Sequence, residues 1–522
     1  MIDIIEVENI RAFKNKSWSF DLKPITVFCG SNSAGKSTII KSLLLLQQSQ
    51  AAHETELTNQ AKLRFAGPQV DLGSYRSLVS DNDIQKNISI TIGFKGRIPY
   101  PLIDGLVDPS AQQEQDSHPY TLNSKFTFAS HTENKSTSET KSDPKAASGM
   151  LYASEFALLL EPNKPITWKV ELREEKNPSN PVLHLIHIPS LLIKQSGLLS
   201  FVEISSATEK KTHIVQVALK GLIPSGMSVR LRKPPPSKAQ SKEASRTVQV
   251  PLPGAINRPL YDLRTALTHI HYIGPLRAPA KRYYVANLES PPGLDSSGEF
   301  LPYVLRENTD TLVDNATPKT WEISQTTLAA ALNCWLQYLR TGDTGDTDSN
   351  DNEINVSHTK GVLVEFKLKD SPGNSQHSLI DSGFGYSQIL PIIVRGLLAP
   401  AGSTLIIEQP ELHLNPALQV RLAEFFIAMM KVGKQVIIET HSEHIVNSIR
   451  VLAAEEPSDD IASNSSIYYI ESQADAPVVH TLSIQSDGTV PRWPRHFFGE
   501  ALTLSGRLLS AQRSKRSSRE AQ

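Results

Sequence analysis

Features typical of secreted and membrane proteins are scarce in this sequence of 522 residues. Only two cysteines occur, Cys29 and Cys334, so a disulfide framework of the kind that stabilises small secreted domains is excluded. No stretch reaches the roughly 18 uninterrupted apolar residues of a membrane-spanning helix, and the N-terminal residues lack a basic segment followed by a long apolar one. We therefore expect a cytoplasmic protein that makes no membrane contact.

An excess of charge of one sign is also lacking. The chain has 53 Lys and Arg residues against 54 Asp and Glu residues, a formal net charge of -1. No overall basic field therefore attracts nucleic acid, and any contact with nucleic acid must be local. The length exceeds what a single hydrophobic core fills, so we expect more than one lobe.

The hydrophobic patterns predict an α/β protein. Residues 2–29 have the alternation of strands, and in the final third apolar strands alternate with helices, which indicates a parallel sheet covered on both faces. Between these regions lie further strand-like segments and a polar, loop-rich stretch, 108–149, which we expect to be disordered. The expected divisions are 1–80 (first part of a head), 81–260 (an inserted lobe), 261–505 (second part of the head) and 506–522 (a basic tail).

A phosphate-binding motif follows the first apolar strand. The sequence GSNSAGKS, from Gly30 to Ser37, fits G-x-x-x-x-G-K-[ST] between a strand and a helix, the context that this motif requires. Lys36 is expected to reach the β- and γ-phosphates of ATP, and the Ser37 hydroxyl is expected to bind Mg²⁺. The predicted nucleotide-binding residues here are Gly30, Ser31, Asn32, Ser33, Ala34, Gly35, Lys36, Ser37 and Thr38.

An acidic residue is expected at the end of an apolar strand beside the P-loop strand, because Mg²⁺ also needs oxygen ligands opposite the phosphates. The strand ending in Glu408 supplies this acid, and Gln409 and Glu411 follow it. At this point the chain resembles the ABC superfamily as found in recombination and chromosome-maintenance ATPases, where the strand ends in Asp-Glu-Pro-Glu. Here the aligned pair is Glu408-Gln409, and a Gln orients a water molecule without accepting its proton. General-base assistance is worth about 10² to 10⁴ in rate, so either hydrolysis is slow or Glu408 or Glu411 replaces the base.

Two further segments resemble ABC motifs in the order that the superfamily uses. The segment 381–388 is similar to the signature motif, and its Ser382, Gly383, Gly385 and Gln388 are expected to contact a γ-phosphate. His441 resembles the switch histidine, although a histidine after a strand is often structural. In ABC proteins the signature of one subunit completes the P-loop site of the other. The resemblance therefore implies a homodimer, or a higher oligomer, that closes on ATP.

The resemblance can be narrowed by longer stretches: DLGSYRSLV, YIGPLRAPAKRYY, SGFGYSQILP, IEQPELHLNP, ETHSEHIVNSIR and WPRHFFGEAL. Together they are similar to bacterial AAA-family ATPases of the ABC type, often encoded in anti-phage defence loci, with relatives among the overcoming-lysogenization-defect and Septu ATPases. This implies an ABC-type P-loop head with a mixed and parallel sheet and an inserted α+β lobe. It also implies ATP and Mg²⁺ as cofactors, and a partner effector such as a nuclease.

Other interpretations remain open at this stage. The chain is alternatively a DNA repair ATPase that acts directly on DNA, a nuclease in itself, or an ATP-binding scaffold without hydrolysis. One cluster is both basic and aromatic and comprises Arg277, Lys281, Arg282, Tyr283 and Tyr284. It either braces a loop or binds phosphate. Gln47 or Gln48 is a candidate sensor of the γ-phosphate, and the C-terminal tail from Arg507 is basic.

Overall fold

The fold was determined as a computed structural model, which describes residues 1–52, 57–58, 61–107, 116–131, 148–161, 164–174, 182–196, 202–203, 206–207, 212–231, 247–279, 281, 284–285, 295–343, 354–359, 363–370, 375–378, 384–494 and 506–512. Several expected features lie outside these residues. They are Ser382 and Gly383 of the signature-like motif, Arg282, Tyr283, most of the polar stretch 108–149, and the tail from Arg513.

Among the described residues, the strands form two main sheets and two small ones. They are β1 (Ile4–Ile10), β2 (Phe13–Asp21), β3 (Ile25–Gly30), β4 (Leu57–Thr58), β5 (Ile88–Pro99), β6 (Ser117–His131), β7 (Ser148–Leu159), β8 (Ile166–Glu174), β9 (Val182–Pro189), β10 (Val202–Glu203), β11 (Ser206–Ala207), β12 (Thr212–Lys220), β13 (Ile223–Leu231), β14 (Thr247–Pro251), β15 (Ile270–Ile273), β16 (Tyr284–Val285), β17 (Leu312–Ala316), β18 (Ile323–Thr327), β19 (Ile354–Thr359), β20 (Leu363–Asp370), β21 (Ser375–Ser378), β22 (Thr404–Glu408), β23 (Gln435–Glu439), β24 (Ser465–Glu471) and β25 (Val478–Leu482).

The α-helices are α1 (Lys36–Ala51), α2 (Tyr75–Leu78), α3 (Ser190–Gln195), α4 (Gly254–Thr268), α5 (Leu301–Asn308), α6 (Leu328–Thr341), α7 (Phe384–Leu398), α8 (Pro416–Lys431), α9 (Glu443–Glu455) and α10 (Asp460–Ser463). Helices α6, α8 and α9 begin at side chains that accept a backbone hydrogen bond. Asn415 accepts from Leu418 N before Pro416, and Ser442 accepts from Ile445 N, as is usual for N-cap residues. Within the described residues, no helix is both long enough and apolar enough to span a membrane.

The first main sheet is mostly parallel and has the order β15-β22-β23-β3-β24-β25, with β25 antiparallel at one edge. Its central strands are apolar on both faces because helices or the second sheet cover each face. One face includes Phe28, Ile406 and Ile437, and the other includes Val27, Ile407 and Ile438. The parallel sheet expected from the alternating pattern is therefore present.

The second main sheet is antiparallel. It contains strands from the expected first division, 1–80, and from the expected inserted lobe, 81–260. Strand β1 pairs with both β2 and β5, and the sheet continues through β6 to β14. The expected boundary at residue 80 therefore falls inside one continuous sheet. The polar stretch that was expected to be loop-rich also contains a long strand, Ser117–His131, whose inward side chains include Phe126 and Phe128.

Helix α1 lies between the two main sheets. Twelve of its sixteen residues are buried, and its apolar residues Ile39 to Leu46 join the core that contains both the antiparallel sheet and one face of the parallel sheet. A helix that is apolar on all sides is typical of such a position. The packing fixes the N-terminus of α1, and with it the P-loop, against the parallel sheet.

Candidate nucleotide-binding site

A cleft opens where four parallel strands end. Strands β15, β22, β23 and β3 have their carboxyl ends at the same side of the sheet, and we call the segments that follow them, 274–279, 409–415, 440–442 and 31–35, the loop edge. The cleft has a volume of about 520 Å³ and is lined by Asn32 to Thr38, Lys41, Gln409, Glu439 and His441, together with Arg11 and Ala12 from the β1–β2 turn. The sequence analysis did not find Arg11 and Ala12, because their turn belongs to the other sheet.

The P-loop conformation requires glycine at its two motif positions. Gly30 has φ +129°, and a Cβ there would lie 2.1 Å from the carbonyl oxygen of Ile470. Gly35 has φ +103°, and its Cβ would lie 2.9 Å from the ring of Phe13. The Nζ of Lys36 donates to the carbonyl oxygens of Gly30 (3.1 Å) and Ser31 (2.7 Å), and burial lowers its pKa. A buried ammonium group is therefore held inside the loop that is expected to bind phosphate.

Glu439 is a central residue of the site that the sequence analysis missed. It ends β23, the strand beside β3, and its Oε1 accepts a 2.7 Å hydrogen bond from the Ser37 hydroxyl. Burial raises its pKa, whereas that bond and the charges of Lys36 and Lys41 oppose the rise. The rule that was applied to Glu408, an acid at the end of an apolar strand beside the P-loop strand, also selects Glu439.

Glu408 is placed differently from what the sequence analysis expected. Its strand, β22, is separated from β3 by β23, so the statement that it lies beside the P-loop strand was wrong. The order of strands along the chain does not reveal their order in the sheet, which depends on tertiary packing. The Oε1 of Glu408 accepts a 3.1 Å hydrogen bond from the Tyr272 hydroxyl. Burial, and next the charge of Glu439, raise the pKa of Glu408 to about 7.

Gln409 and Glu411 fix the loop after β22. Gln409 has φ +45°, an unusual backbone for a residue other than glycine, and its N–H donates to the carbonyl oxygen of Glu439 at 2.7 Å. The two carboxylate oxygens of Glu411 accept hydrogen bonds from the Thr440 hydroxyl (2.8 Å) and from the His441 backbone N–H (2.7 Å). Glu411 thus connects two segments of the loop edge, and His441 lies exposed at the cleft.

Arg277 supports the loop edge from β15. It is 6% exposed, and its Nη2 donates to the carbonyl oxygens of Glu408 (2.9 Å) and Gln409 (3.4 Å). The sequence left two roles open for this residue, loop bracing and phosphate binding. These contacts fit loop bracing, because a buried guanidinium does not face a nucleic-acid backbone. Lys281 is at the surface, 3.0 Å from Glu299.

The described signature-like residues lie away from this cleft. The start of α7 at Gly385 faces the backbone of His413 and the side chain of Leu414, and Gln388 is 2% exposed. Neither residue lines the cleft. The structure of one chain therefore does not bring Gly385 and Gln388 to the P-loop.

Neither glutamine proposed as a phosphate sensor is near the phosphate-binding loop. Gln47 Nε2 donates to the carbonyl oxygen of Ile270 at 2.7 Å, and Gln48 Nε2 donates to that of Val70 at 3.2 Å. They lie on α1 about 16 Å from its start, at 1.5 Å per residue. The prediction for Gln47 and Gln48 was wrong, since both side chains hold backbone carbonyls at the far end of the helix.

Comparisons with known proteins give two family matches. The model described as the AAA ATPase domain matches residues 1–165 and 294–446, and a protein family of unknown function, DUF3696, matches residues 462–508. No curated protein matches.

Similar solved structures include three heads of SMC proteins. The SMC head bound to the C-winged helix domain of ScpA is 10% identical, with 93% of this chain and 98% of that chain covered and a TM-score of 0.38. The SMC head domain from Thermotoga maritima is 9% identical, with coverages of 92% and 99% and a TM-score of 0.33. The SMC head with an extended coiled coil bound to the C-terminal domain of ScpA from Pyrococcus furiosus is 10% identical, with coverages of 98% and 99% and a TM-score of 0.34.

Proposed function

The chain belongs to the AAA ATPase domain family, and from this premise we propose that it binds ATP with magnesium at the loop edge and hydrolyses it slowly. The convergence of the P-loop, Gln409, Glu439 and His441 on one cleft supports the proposal. The backbone N–H groups of the P-loop and the N-terminus of α1 attract phosphate. Lys36 adds a positive charge within reach of the same place.

The residues present fit a magnesium ion. Ser37 offers a hydroxyl, and one carboxylate oxygen of Glu439 is buried without a hydrogen-bond partner among the described residues. In that part of the chain no cluster of three His, Cys, Asp or Glu residues forms a metal site. Phosphate oxygens and water molecules would complete the coordination. When bound, the metal neutralises charge on the transferred phosphoryl group.

Slow hydrolysis follows from the groups around the attacking water. Gln409 lines the cleft but does not accept a proton. Both carboxylate oxygens of Glu411 already accept hydrogen bonds, and Glu408 is bound to Tyr272 behind the cleft. The two acids that the sequence offered as replacement bases are therefore engaged elsewhere.

We further propose that two chains close on ATP. Gly385 and Gln388 do not line the cleft of their own chain, so signature contacts to the γ-phosphate require a second chain. Two features link closure to the rest of the fold: the β1–β2 turn, which lines the cleft from the antiparallel sheet, and Arg277, which contacts the backbone after β22. ATP-driven closure would then switch a partner effector such as a nuclease, in keeping with the resemblance to anti-phage ATPases.

Direct action on DNA is the second candidate. It would be supported by an exposed basic patch, but the net charge is -1 and Arg277 is buried. These observations favour a partner protein over DNA as the immediate target of the switch.

The test is ATP turnover of the purified chain, with dimerisation followed by light scattering with and without ATP. Lys36→Ala is expected to abolish both, and Lys164→Ala, at an exposed surface position, serves as the control with the same loss of charge. Dimerisation without turnover would identify an ATP-holding scaffold. Turnover that survives in Lys36→Ala would contradict the proposed site.

A further inference from the structure

The nucleotide cleft contains a second lysine, Lys41, to which the proposed function assigns no role. Lys41 is on α1, one turn after Ser37, and it lines the cleft together with Gln409 and Glu439. The P-loop motif specifies a lysine and a serine at its end, which are Lys36 and Ser37, but it leaves position 41 open. A lysine at this position is therefore a feature of this chain and not a requirement of the motif.

The helix directs the Lys41 side chain towards the phosphate-binding end of the cleft. Residues four apart lie on the same face of an α-helix, and their side chains point towards its N-terminus. The Cα atoms of residues 37 and 41 are separated by about 6 Å along the axis, at 1.5 Å per residue. The flexible four-carbon stem of a lysine spans about that distance. The Lys41 ammonium can therefore reach the level of the Ser37 hydroxyl.

The charge of Lys41 acts on the strand ends that form one side of the cleft. Burial raises the pKa of Glu408 and the pKa of Glu439, and the charge of Lys41 opposes the rise in both. These two acids end β22 and β23 and are paired in the register of the strands. Gln409, which is expected to orient the attacking water molecule, follows Glu408 directly. Lys41 is therefore on the side of the cleft where the γ-phosphate would meet that water.

The two lysines of the cleft differ in what they contact. Lys36 Nζ donates to the carbonyl oxygens of Gly30 and Ser31 inside the P-loop. Lys41 is partly buried, and within the part of the chain that the structure describes no hydrogen bond or ion pair engages its ammonium. A cation that is partly removed from water without a partner is unfavourable unless a ligand provides acceptors. Phosphate oxygens are acceptors of this kind.

We propose that Lys41 contacts the γ-phosphate of ATP and makes the cleft distinguish ATP from ADP. The inference rests on the proposed function, because it assigns one more contact to the same nucleotide. Lys36 is expected to reach the β- and γ-phosphates, so it serves both nucleotides, whereas Lys41 serves only the one with a third phosphate. A switch needs this difference, because a ligand shifts an equilibrium only by as much as its affinity differs between two states.

The experiment compares two nucleotides on the full chain in the presence of magnesium. They are ADP and the β,γ-imido analogue of ATP, which is not hydrolysed, and isothermal titration calorimetry gives both dissociation constants. The loss of a hydrogen bond between charged groups weakens binding by about 10- to 100-fold. Lys41→Met is therefore expected to weaken binding of the analogue by at least about 10-fold and binding of ADP by less than about threefold.

Three further variants make the result specific. Lys41→Arg keeps the positive charge and is expected to retain most of the preference for the analogue. Lys36→Ala should weaken both nucleotides, because both have the β-phosphate. Lys164→Met removes a positive charge from an exposed position and should bind both nucleotides as the wild type does. Thermal unfolding shows which variants are folded, and Lys41→Gln replaces Lys41→Met if the latter is not.

The outcomes separate this inference from the proposed function. A selective loss of analogue binding in Lys41→Met supports the inference. Unchanged analogue binding, or an equal loss for analogue and ADP, would overturn it and leave the ATP site intact. An equal loss is what a purely structural role would produce, in which Lys41 only balances the charges of Glu408 and Glu439. If the wild-type chain binds neither nucleotide, the proposed function fails, and this inference fails with it.

Discussion

The loop edge and strands β5 to β9 of the antiparallel sheet differ in the regularity of their backbone. In the antiparallel sheet, β5 to β9 pair in long registers with a single irregularity between Thr127 and Phe128. At the loop edge, Ser33, Gln409 and His413 have positive φ, and Glu439 has a buried oxygen without a described partner. Strained backbone concentrates at functional sites because the surrounding fold stabilises it. The comparison favours the loop edge as the place of the proposed chemistry and the regular strands as a source of stability.

Gln409→Glu is the strongest way to sharpen this comparison. The new carboxylate would lie at the cleft as a proton acceptor, so we expect ATP turnover to rise by about 10² to 10⁴, while the free energy of unfolding changes little. Turnover is measured under saturating ATP and magnesium. The double variant with Lys36→Ala should lose the gain. An unchanged rate would mean that another group already accepts the proton.

Phe156→Ala tests the opposite side of the comparison. The ring of Phe156 stacks on Trp168 at 5.5 Å and meets Phe126 edge-on at 6.0 Å, so its loss should cost about 3 to 5 kcal/mol of unfolding free energy. The turnover of the folded fraction should stay the same. Tyr152→Ala on the same strand removes a half-exposed ring and should change stability by less than about 0.5 kcal/mol. A loss of turnover in folded Phe156→Ala would mean that the sheet contributes to the chemistry.

The sequence predicted the parallel sheet and the P-loop because both depend on local patterns. Apolar runs with a glycine-rich loop between strand and helix are visible in one window of residues, and the ATPase family that the motifs indicated is confirmed by the family match. The strand order, unlike these local patterns, cannot be deduced from one window of residues. Because β23 lies between β22 and β3, Glu439 lies next to Ser37 and Glu408 lies farther away.

The contacts of Arg277, Arg11 and Glu411 could not be predicted for the same reason. Each joins segments that are far apart in the chain: Arg277 reaches the carbonyl of Glu408, and Glu411 reaches the backbone of His441. A basic residue in a loop has the same appearance in sequence whether it faces solvent or supports a neighbouring strand. Only the packing of β15 beside β22 decides between the two.

A smaller effect is expected at the amino-terminal side of the parallel sheet, where His271 lies in β15. Burial, followed by the charges of Arg395, His269 and Lys434, lowers its pKa from 6.5 to about 4. The unfolded chain therefore takes up a proton near pH 6.5 and the folded chain only near pH 4. The contribution of His271 to stability is complete above pH 6.5 and is lost as the pH falls towards 4, by at most about 3 kcal/mol.

The measurement is the free energy of unfolding by urea at pH 7.5 and at pH 5. His271→Asn should reduce the difference between the two pH values, and His444→Asn, at an exposed position on α9, serves as the control. A pH dependence that is the same in His271→Asn and wild type would show that the loss at low pH arises elsewhere, for example at the loop edge.

The smallest effect is expected from Glu411→Gln. This change keeps the shape of the side chain but replaces one of the two carboxylate oxygens that accept hydrogen bonds. Both groups that Glu411 contacts are donors, the Thr440 hydroxyl and the His441 N–H; a Gln amide nitrogen would oppose one of them. The loss of a hydrogen bond to a charged group costs about 1.5 kcal/mol, so misplacement of His441 should lower turnover about 10-fold. ATP affinity should be unchanged. Glu443→Gln, in the first turn of α9, makes the same charge change without this contact, and an equal loss of turnover there would mean that charge, rather than the position of His441, determines the rate.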